Sequence, residues 1–440
     1  MSRGRGKDAA ALARADLARS GLHGDLGKMS VRALERAEAK AHDPKCSWWR
    51  HAPDGLASEL FEYRTHEGKK DGFWRMRATE DPPPCGFSGV VPKLRYHQAK
   101  GSEPRAWFST AVRWPEALAG VAKGEATLVI CEGEKKAEAI CRAGGGKVVA
   151  IGLGGVSNVA SKARRIEVIS DLLLVAKLAR GSSPIVCFDA DGKPSARRNV
   201  SAAAIRVGEL LRSQGLSPLV ARLPLLDGQE KTGPDDFIVA KGWKALVKVL
   251  DAAEELFPKE ELTDVGNGVR LARRALGRFV YVVEWKRWMR YDGQRWIEDG
   301  RGIYQLAVET TKDIFLEAAA LGAEAENAPD KEAQALRDKS KKIHAHALAS
   351  QKIERREAMV KSAPDAWPDL VATPKEFDSD PWLLNVENGT IDLRTGELRP
   401  HEPADLITKL APVAYDPSAR APEFARDHIP AGQTDRSPRG

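Results

Sequence analysis

Between about residues 125 and 245, short apolar runs alternate with helical stretches, and this alternation constrains the fold more than any other feature of the chain. ATLVIC, KVVAIGL and PIVCF read as strands. EKKAEAICRA, which stops at GGG, has helical spacing, as do a stretch reaching about Arg180 and a segment from about 199 to 214 that stops at Gly215. Strands separated by helices of this length give a compact α/β unit with a largely parallel sheet. The unit is assigned to residues 121–255.

The flanks read differently. Residues 1–45 alternate Ala, Leu, Arg and Asp, which predicts one or two amphipathic helices. Residues 46–120 are rich in aromatics and turn residues, and LFEYR, HEGKKDG and FWRMR predict two strands joined by a polar turn. From 261 to 422 the pattern predicts an α+β unit: a helix in ELTDVGNGVRLARRALG, then a hairpin turning at Asp292-Gly293. A charged, Ala-rich helical stretch follows from about 302 to 362, then short strands and turns. Residues 423–440 read as a disordered tail. The expected fold class is therefore an α/β central domain flanked by α+β domains.

Composition narrows the setting. A chain of 440 residues with 42% hydrophobic and 30% charged residues is ordinary for a globular protein. No run approaches the ~18 apolar residues of a membrane helix, and the N-terminus lacks a secretory core. The five cysteines are odd in number and scattered, and two lie in strand-like runs, as expected of reduced, buried thiols. A cytoplasmic location follows as the expectation. The net charge of +7 permits a polyanionic partner without establishing one.

Two short segments can carry chemistry: Glu132 in VICEGEKKA, and Asp189 with Asp191 in VCFDADGK. Each acid lies just past the C-terminal end of an apolar strand, where open α/β sheets bind ligands. Residues i and i+2 of a strand share a face, so Asp189 and Asp191 can present two carboxylates together. With the Glu132 strand adjacent, three hard oxygen donors converge. Mg²⁺ or Mn²⁺ removes their mutual repulsion and gains a site for phosphate. That layout suits metal-assisted phosphoryl transfer. Taken singly, each motif reads as helix-start or solvated acids; their equivalent places in one unit favour the site.

These segments resemble the Toprim domain of primases, topoisomerases and related nucleases, whose signature is a Glu in an EG turn and a later DxD. The resemblance implies that Glu132 is general base or acid and that Asp189 and Asp191 hold the metal. It has a departure: bacterial primases carry a further acid four residues after the Glu, where this chain has Lys136. The EGEKKA form is similar to the Toprim variant of mobile-element replication proteins. GQEKTGPDDFIVAKG resembles the turn that closes this variant. There Asp235 or Asp236 supplies another ligand or caps the helix beginning at DFIVAKG, with Asp235 the favoured ligand. Lys231 in that turn meets a phosphate or is simply solvated. The glycines of IGLGGVSN form an anion-binding turn or, the better fit, a tight turn needing positive φ.

KLRYHQAKGSEPRAWFS resembles the segment preceding Toprim in the same proteins. Arg95, Tyr96, Lys100, Arg105 and Trp107 mix cations with aromatics, which suits a single strand or, equally, an aromatic core under a basic rim. His42, Cys46, His51 and Cys85 have no zinc-finger spacing, and no CxxC pair occurs.

The stretch from 261 to 417 resembles the domain that precedes the helicase in phage/plasmid primases and poxvirus-type primase-helicases. LTDVGNGVRLARRALG, FVYVVEWKRWMRYDGQRWIEDG and LLNVENGTIDLRTGELRPHEPADLITK carry the likeness. It stops near Pro422, and no GxxxxGK[ST] loop occurs, so the helicase motor is expected to be missing. Together the resemblances imply a phage or plasmid DNA replication protein, a Toprim-type primase module lacking its helicase. It would make primers by metal-dependent nucleotidyl transfer, with Mg²⁺ (or Mn²⁺), single-stranded DNA and nucleoside triphosphates. A separate helicase chain is a further candidate partner. The alternatives are a non-catalytic DNA-binding or helicase-loading module, and a Toprim nuclease.

Overall fold

A computed structural model describes residues 8–42, 57–79, 96–98, 102–155, 169–257, 260–394, 396–416 and 418–419. Arg95, Lys100, Cys46, His51, Cys85 and the 423–440 tail lie outside the described residues.

Helix α1 (Ala9–Arg19) starts at Asp8, whose carboxylate accepts from Ala10 N at 3.0 Å. Beyond it, β1 (Val31–Glu35) leads into α2 (Arg36–His42). Strands β2 (Ala57–Arg64), β3 (Lys70–Ala78) and β4 (Tyr96–Gln98) complete an antiparallel sheet in the order β1-β2-β3-β4. The β2–β3 hairpin is the one expected from LFEYR and FWRMR. Strand β1 corrects the all-helical reading of residues 1–45. VRALE has helix-forming composition, but pairing along β2 (Val31 opposite Phe61) overrides that weak preference.

The central unit contains β5 (Trp107–Phe108), α3 (Trp114–Ala122), β6 (Thr127–Cys131), α4 (Glu134–Gly144), β7 (Val148–Gly152) and α5 (Ser170–Leu178). It continues with β8 (Ile185–Val186), β9 (Ala190–Asp191), α6 (Pro194–Ser213), β10 (Leu219–Val220), β11 (Lys231–Thr232), α7 (Pro234–Lys241), α8 (Trp243–Asp251) and β12 (Glu254–Glu255). The sheet order is β12-β10-β8-β6-β7-β5. Strands β10, β8, β6 and β7 are parallel, while β5 and β12 run antiparallel at the edges. From β6 the chain crosses to β7 on one side; from β8 it proceeds to β10 on the other. The crevice between the C-terminal ends of β6 and β8 is thus a topological switch point. A separate ribbon, β9 with β11, pairs Asp191 with Lys231. Cys131, Cys141 and Cys187 are free and buried in the core beneath the crevice.

The third unit opens with α9 (Asp264–Ala275) and the meander β13 (Phe279–Val282), β14 (Arg287–Tyr291) and β15 (Trp296–Glu298). Its second turn falls at Asp292-Gly293 as expected: the Asp292 carboxylate accepts from Gln294 N and Arg295 N, each at 2.8 Å, and Gly293 has φ 110°. Three helices form the charged stretch: α10 (Gly300–Glu326), α11 (Asp330–Ser350) and α12 (Ile353–Ala366). Strand β16 (Val371–Ala372) returns parallel to β13, and β17 (Leu383–Val386), β18 (Gly389–Asp392) and β19 (Glu397–Arg399) form a small antiparallel sheet. Arg198 and Ser201 of α6 tie this unit to the central one through Val371 O (2.8 Å), Glu376 and Asp369. Among the described residues no helix is long and apolar enough to cross a membrane.

Candidate active site

Glu132 leaves the end of β6, and its backbone is fixed by the turn after β7. Gly155 N donates to Glu132 O at 2.6 Å and Leu153 N to Cys131 O at 3.1 Å. Gly154 and Gly155 have φ of 68° and 122°, so the glycines of this turn serve its left-handed geometry. Gly152 is required by close approach: a Cβ there would stand 2.6 Å from Gly133 O.

Asp189 follows β8 on the other side of the crevice and is 3% exposed. Its Oδ2 receives Lys136 Nζ at 3.2 Å from α4 and Lys231 Nζ at 3.1 Å from β11. Lys231 also lies 3.3 Å from Glu132 Oε2, so one ammonium bridges the two acids across the switch point. Asp191 is half-buried and accepts from Lys193 N at 2.8 Å. Of the two acids opening α7, Asp236 takes the capping role, accepting from Gly233 N at 2.9 Å. Asp235 is turned inward and buried. A Cβ on Gly233 would lie 2.6 Å from Asp235 Oδ1, 2.7 Å from Lys136 Cε and 3.3 Å from Asp189 Oδ1, so these three groups meet at Gly233.

The electrostatics follow from burial and these contacts. Burial pushes the Asp189 carboxyl up to about 6, with Lys136 pulling the other way. Burial would also raise Glu132, but Lys136 and Lys231 outweigh it and hold that carboxyl below its ordinary value. Lys136 is held well above the usual lysine range, because Asp189, Asp235 and Glu132 outweigh the burial that would lower it.

Among the described residues, no three His, Cys, Asp or Glu side chains already stand as a metal cage. The donor set nevertheless fits a hard cation. Asp189 Oδ1 and Asp235 Oδ1 are buried and accept no hydrogen bond, a costly state that a bound Mg²⁺ or Mn²⁺ relieves. The charge that Lys231 brings to Glu132 and Asp189 is replaceable, since its side chain is 49% exposed.

A second layer holds the Glu132 turn from behind. Glu134, at the start of α4, accepts from the Tyr63 hydroxyl and from Arg75 Nη1, both at 2.6 Å. Beside it, Asp16 of α1 and Glu59 of β2 grip Arg77 and Lys135. Lys136 and this layer were missed as site elements in the sequence. The available signals were the one-turn spacing from Glu132 to Lys136 and the alternation of FWRMR, which puts Arg75 and Arg77 on one face.

The single-strand candidates are corrected in part. Arg105 makes a bidentate pair with Asp171 (2.7 and 2.8 Å) and a contact with Asp71 (3.0 Å), which commits its guanidinium within the fold. Trp107 is 1% exposed, donates to Glu138 at 3.2 Å and packs edge-on against Phe61 and Tyr63, leaving no ring face for a base. Arg75 lies 4.6 Å over the Tyr96 ring. For the described members of this set, the core alternative is the one found.

Residues 268–427 match the family described as D5 N terminal like. This part of the chain is thus similar to a D5 N terminal like domain. In phage and plasmid primase-polymerases this domain precedes the superfamily 3 helicase, and here the match begins within α9 and takes in the elements through β19. Residues 119–245, which include Glu132, Asp189, Asp191 and Asp235, match a domain of unknown function (DUF3854). No curated protein matches the chain.

Solved structures similar to the chain include the RNA polymerase domain of Mycobacterium tuberculosis primase DnaG, at 18% identity and TM-score 0.38, covering 57% of this chain and 79% of that one. The same domain in complex with double-stranded DNA gives 18% identity and TM-score 0.37 over 60% of this chain and 79% of that one. The zinc-binding and RNA polymerase domains of Aquifex aeolicus primase give 16% and 0.38, over 70% and 68%. Likenesses at this level assign no residue a role.

Proposed function

We propose that the chain is a primase-type DNA replication module of a phage or plasmid, with a Toprim-like metal centre at Glu132, Asp189, Asp191 and Asp235. The observation that carries the reading is the pair of buried, unpartnered oxygens, Asp189 Oδ1 and Asp235 Oδ1, beside Glu132 at a sheet switch point. Buried carboxylate oxygens of this kind call for a partner, and a bound cation supplies one where an ordered water does not. The D5 N terminal like match in the same chain supports a replication role.

Bound there, Mg²⁺ or Mn²⁺ would orient and neutralise the phosphates of a nucleoside triphosphate. Asp189 and Asp235 would hold the ion, with Asp191 at the exposed rim. Glu132, kept ionised by its lysine neighbours, is placed to take the proton of an attacking hydroxyl. Lys231, bound to the acids but half-exposed, is placed to turn outward to a phosphate. The substrates on this reading are single-stranded DNA and ribonucleotides, and a separate helicase chain is the motor partner.

Primer synthesis on single-stranded DNA, with labelled ribonucleotides and Mg²⁺ or Mn²⁺, tests the reading by comparing wild type with Glu132→Gln. Metal-dependent oligonucleotides lost in the variant are expected. A wild type that binds DNA but makes no product refutes the catalytic reading. It would favour the second one, a non-catalytic helicase-loading module, which the lysine-neutralised acids support. Cutting of DNA without triphosphates would point to a nuclease instead.

A further inference from the structure

We propose that the open face of Trp285 is the stacking platform on which this chain holds single-stranded nucleic acid, with Lys286 and Lys375 meeting its phosphates. The inference rests on the reading that the chain acts on a single strand, and adds where that strand is held.

With Arg105 and Trp107 committed within the fold, the strand needs another surface. Among the described residues the exposed tryptophans and tyrosines are Trp285 (41%), Trp382 (40%) and Tyr304 (39%), all in the third unit. Of these, Trp285 has a ring behind it. It stacks on the buried Phe377, with centroids 5.6 Å apart and planes 29° apart. One face of the indole is thus fixed and the other stands open, which is what a flat base needs. The same meander buries Trp288 and Trp296, so Trp285 stands apart from the packing of its own sheet.

Charge fits the same partner. Trp285 lies in the turn between β13 and β14 and is followed by Lys286, while Lys375 stands two residues before Phe377. Both lysines are exposed, and neither pairs with an acid among the described residues. Arg287 is taken up by Glu298 at 2.5 Å, and Glu284 in the turn offsets one lysine, so the rim stays positive. The platform is also tied to the acidic crevice. Glu376, between Lys375 and Phe377, binds Arg198 on the second turn of α6, the helix that begins just after Asp191. A strand stacked on Trp285 therefore lies on the part of the third unit that is fastened to the catalytic unit.

Fluorescence anisotropy of a labelled oligothymidylate with the full chain, without metal or nucleotide, tests this. Trp285→Ala is expected to weaken binding about tenfold, Trp285→Phe to keep part of it, and Trp382→Ala to change nothing. Duplex binding should be unchanged in Trp285→Ala, because paired bases offer no free face. Lys286→Asn with Lys375→Gln should lower the slope of log Kd against log salt by about 1.4, Asn being chosen because it tolerates the positive φ of 52° at that position. Circular dichroism checks folding, and the salt slope decides even where removing the indole disturbs the turn. Equal single-strand binding by wild type and Trp285→Ala, or an unchanged slope in the lysine variant, would overturn the inference and make the ring pair a protein-contact face. No binding by wild type would overturn both this inference and the single-strand reading. Trp285-dependent binding without primer synthesis would support the platform and refute the catalytic reading alone.

Discussion

Arg75 and Glu134 form a buried pair whose loss should be felt both in stability and at the metal centre. Their side chains are 11% and 1% exposed, and Glu134 Oε1 takes both Arg75 Nη1 and the Tyr63 hydroxyl at 2.6 Å. Arg75→Met leaves a carboxylate unpaired in the interior, a defect that costs about 3–5 kcal/mol. Tyr63→Phe removes only one hydrogen bond to a charged group and should cost about 1.5–3 kcal/mol. In Arg75→Met/Glu134→Gln neither charge remains buried alone, so the double variant should lose much less than the sum of the singles. The coupling should reach roughly 2–3 kcal/mol. Burial would raise the Glu134 carboxyl, but Arg75 and Tyr63 lower it, so its stabilisation is present at neutral pH and is lost as acid protonates it. Urea dependence of hydrogen exchange at the β3 and α4 amides reads this locally, which a chain of several units requires. Arg75→Met should also weaken Mn²⁺ binding, because the turn from Glu132 to Glu134 is held in part through the Glu134 pair. Single variants costing under about 1 kcal/mol, or strictly additive losses, would refute a buried, coupled pair.

Three further outcomes follow from the same contacts. Gly152→Ala places a Cβ 2.6 Å from Gly133 O, so it should shift the Glu132 turn and weaken Mn²⁺ binding at least tenfold while secondary structure persists by circular dichroism. Asp16 is driven up by burial, but Lys135 and Arg77 overcome this and hold it at about 2, below its ordinary 3.8. Its stabilisation is therefore complete above about 4 and falls away toward pH 2, by about 2 kcal/mol, and an Asp16→Asn melting series should lack that slope. Cys141 and Cys187 are pushed up to about 12, chiefly by burial, so in the native protein both should resist iodoacetamide at pH 8 and react only on unfolding, as read by mass spectrometry.

The central sheet was legible in the sequence because parallel strands need continuous apolar runs, and the acids stand just past them. TLVIC and PIVCF announce both the strands and the placing of Glu132 and Asp189. What was not legible depends on partners far along the chain. Arg105 and Trp107 have the composition of a single-strand surface, and only Asp171 on α5 and Glu138 on α4 reveal them as internal. The strand VRALE was hidden for the same reason, since its partner on β2 decides its state. Lys136 could be seen as a departure from the bacterial pattern, but its contact with Asp189 required the β6–β8 adjacency.

That adjacency also explains how the acids coexist before any ion binds. Glu132 and Asp189 face each other across the crevice, and like charges this close in a half-buried site would drive the strand ends apart. Lys231 bridges them from a short ribbon that pairs with the strand carrying Asp191, so one ammonium links two of the four acids named for the centre. Lys136 serves Asp189 from the opposite side, on the helix that begins just after Glu132. The sheet can therefore fold without metal, and an arriving cation competes with Lys231 rather than entering a bare acidic pit. Affinity for the ion should accordingly rise when Lys231 is shortened to Ala, whereas the same change at Lys136 frees a buried carboxylate and should cost stability first.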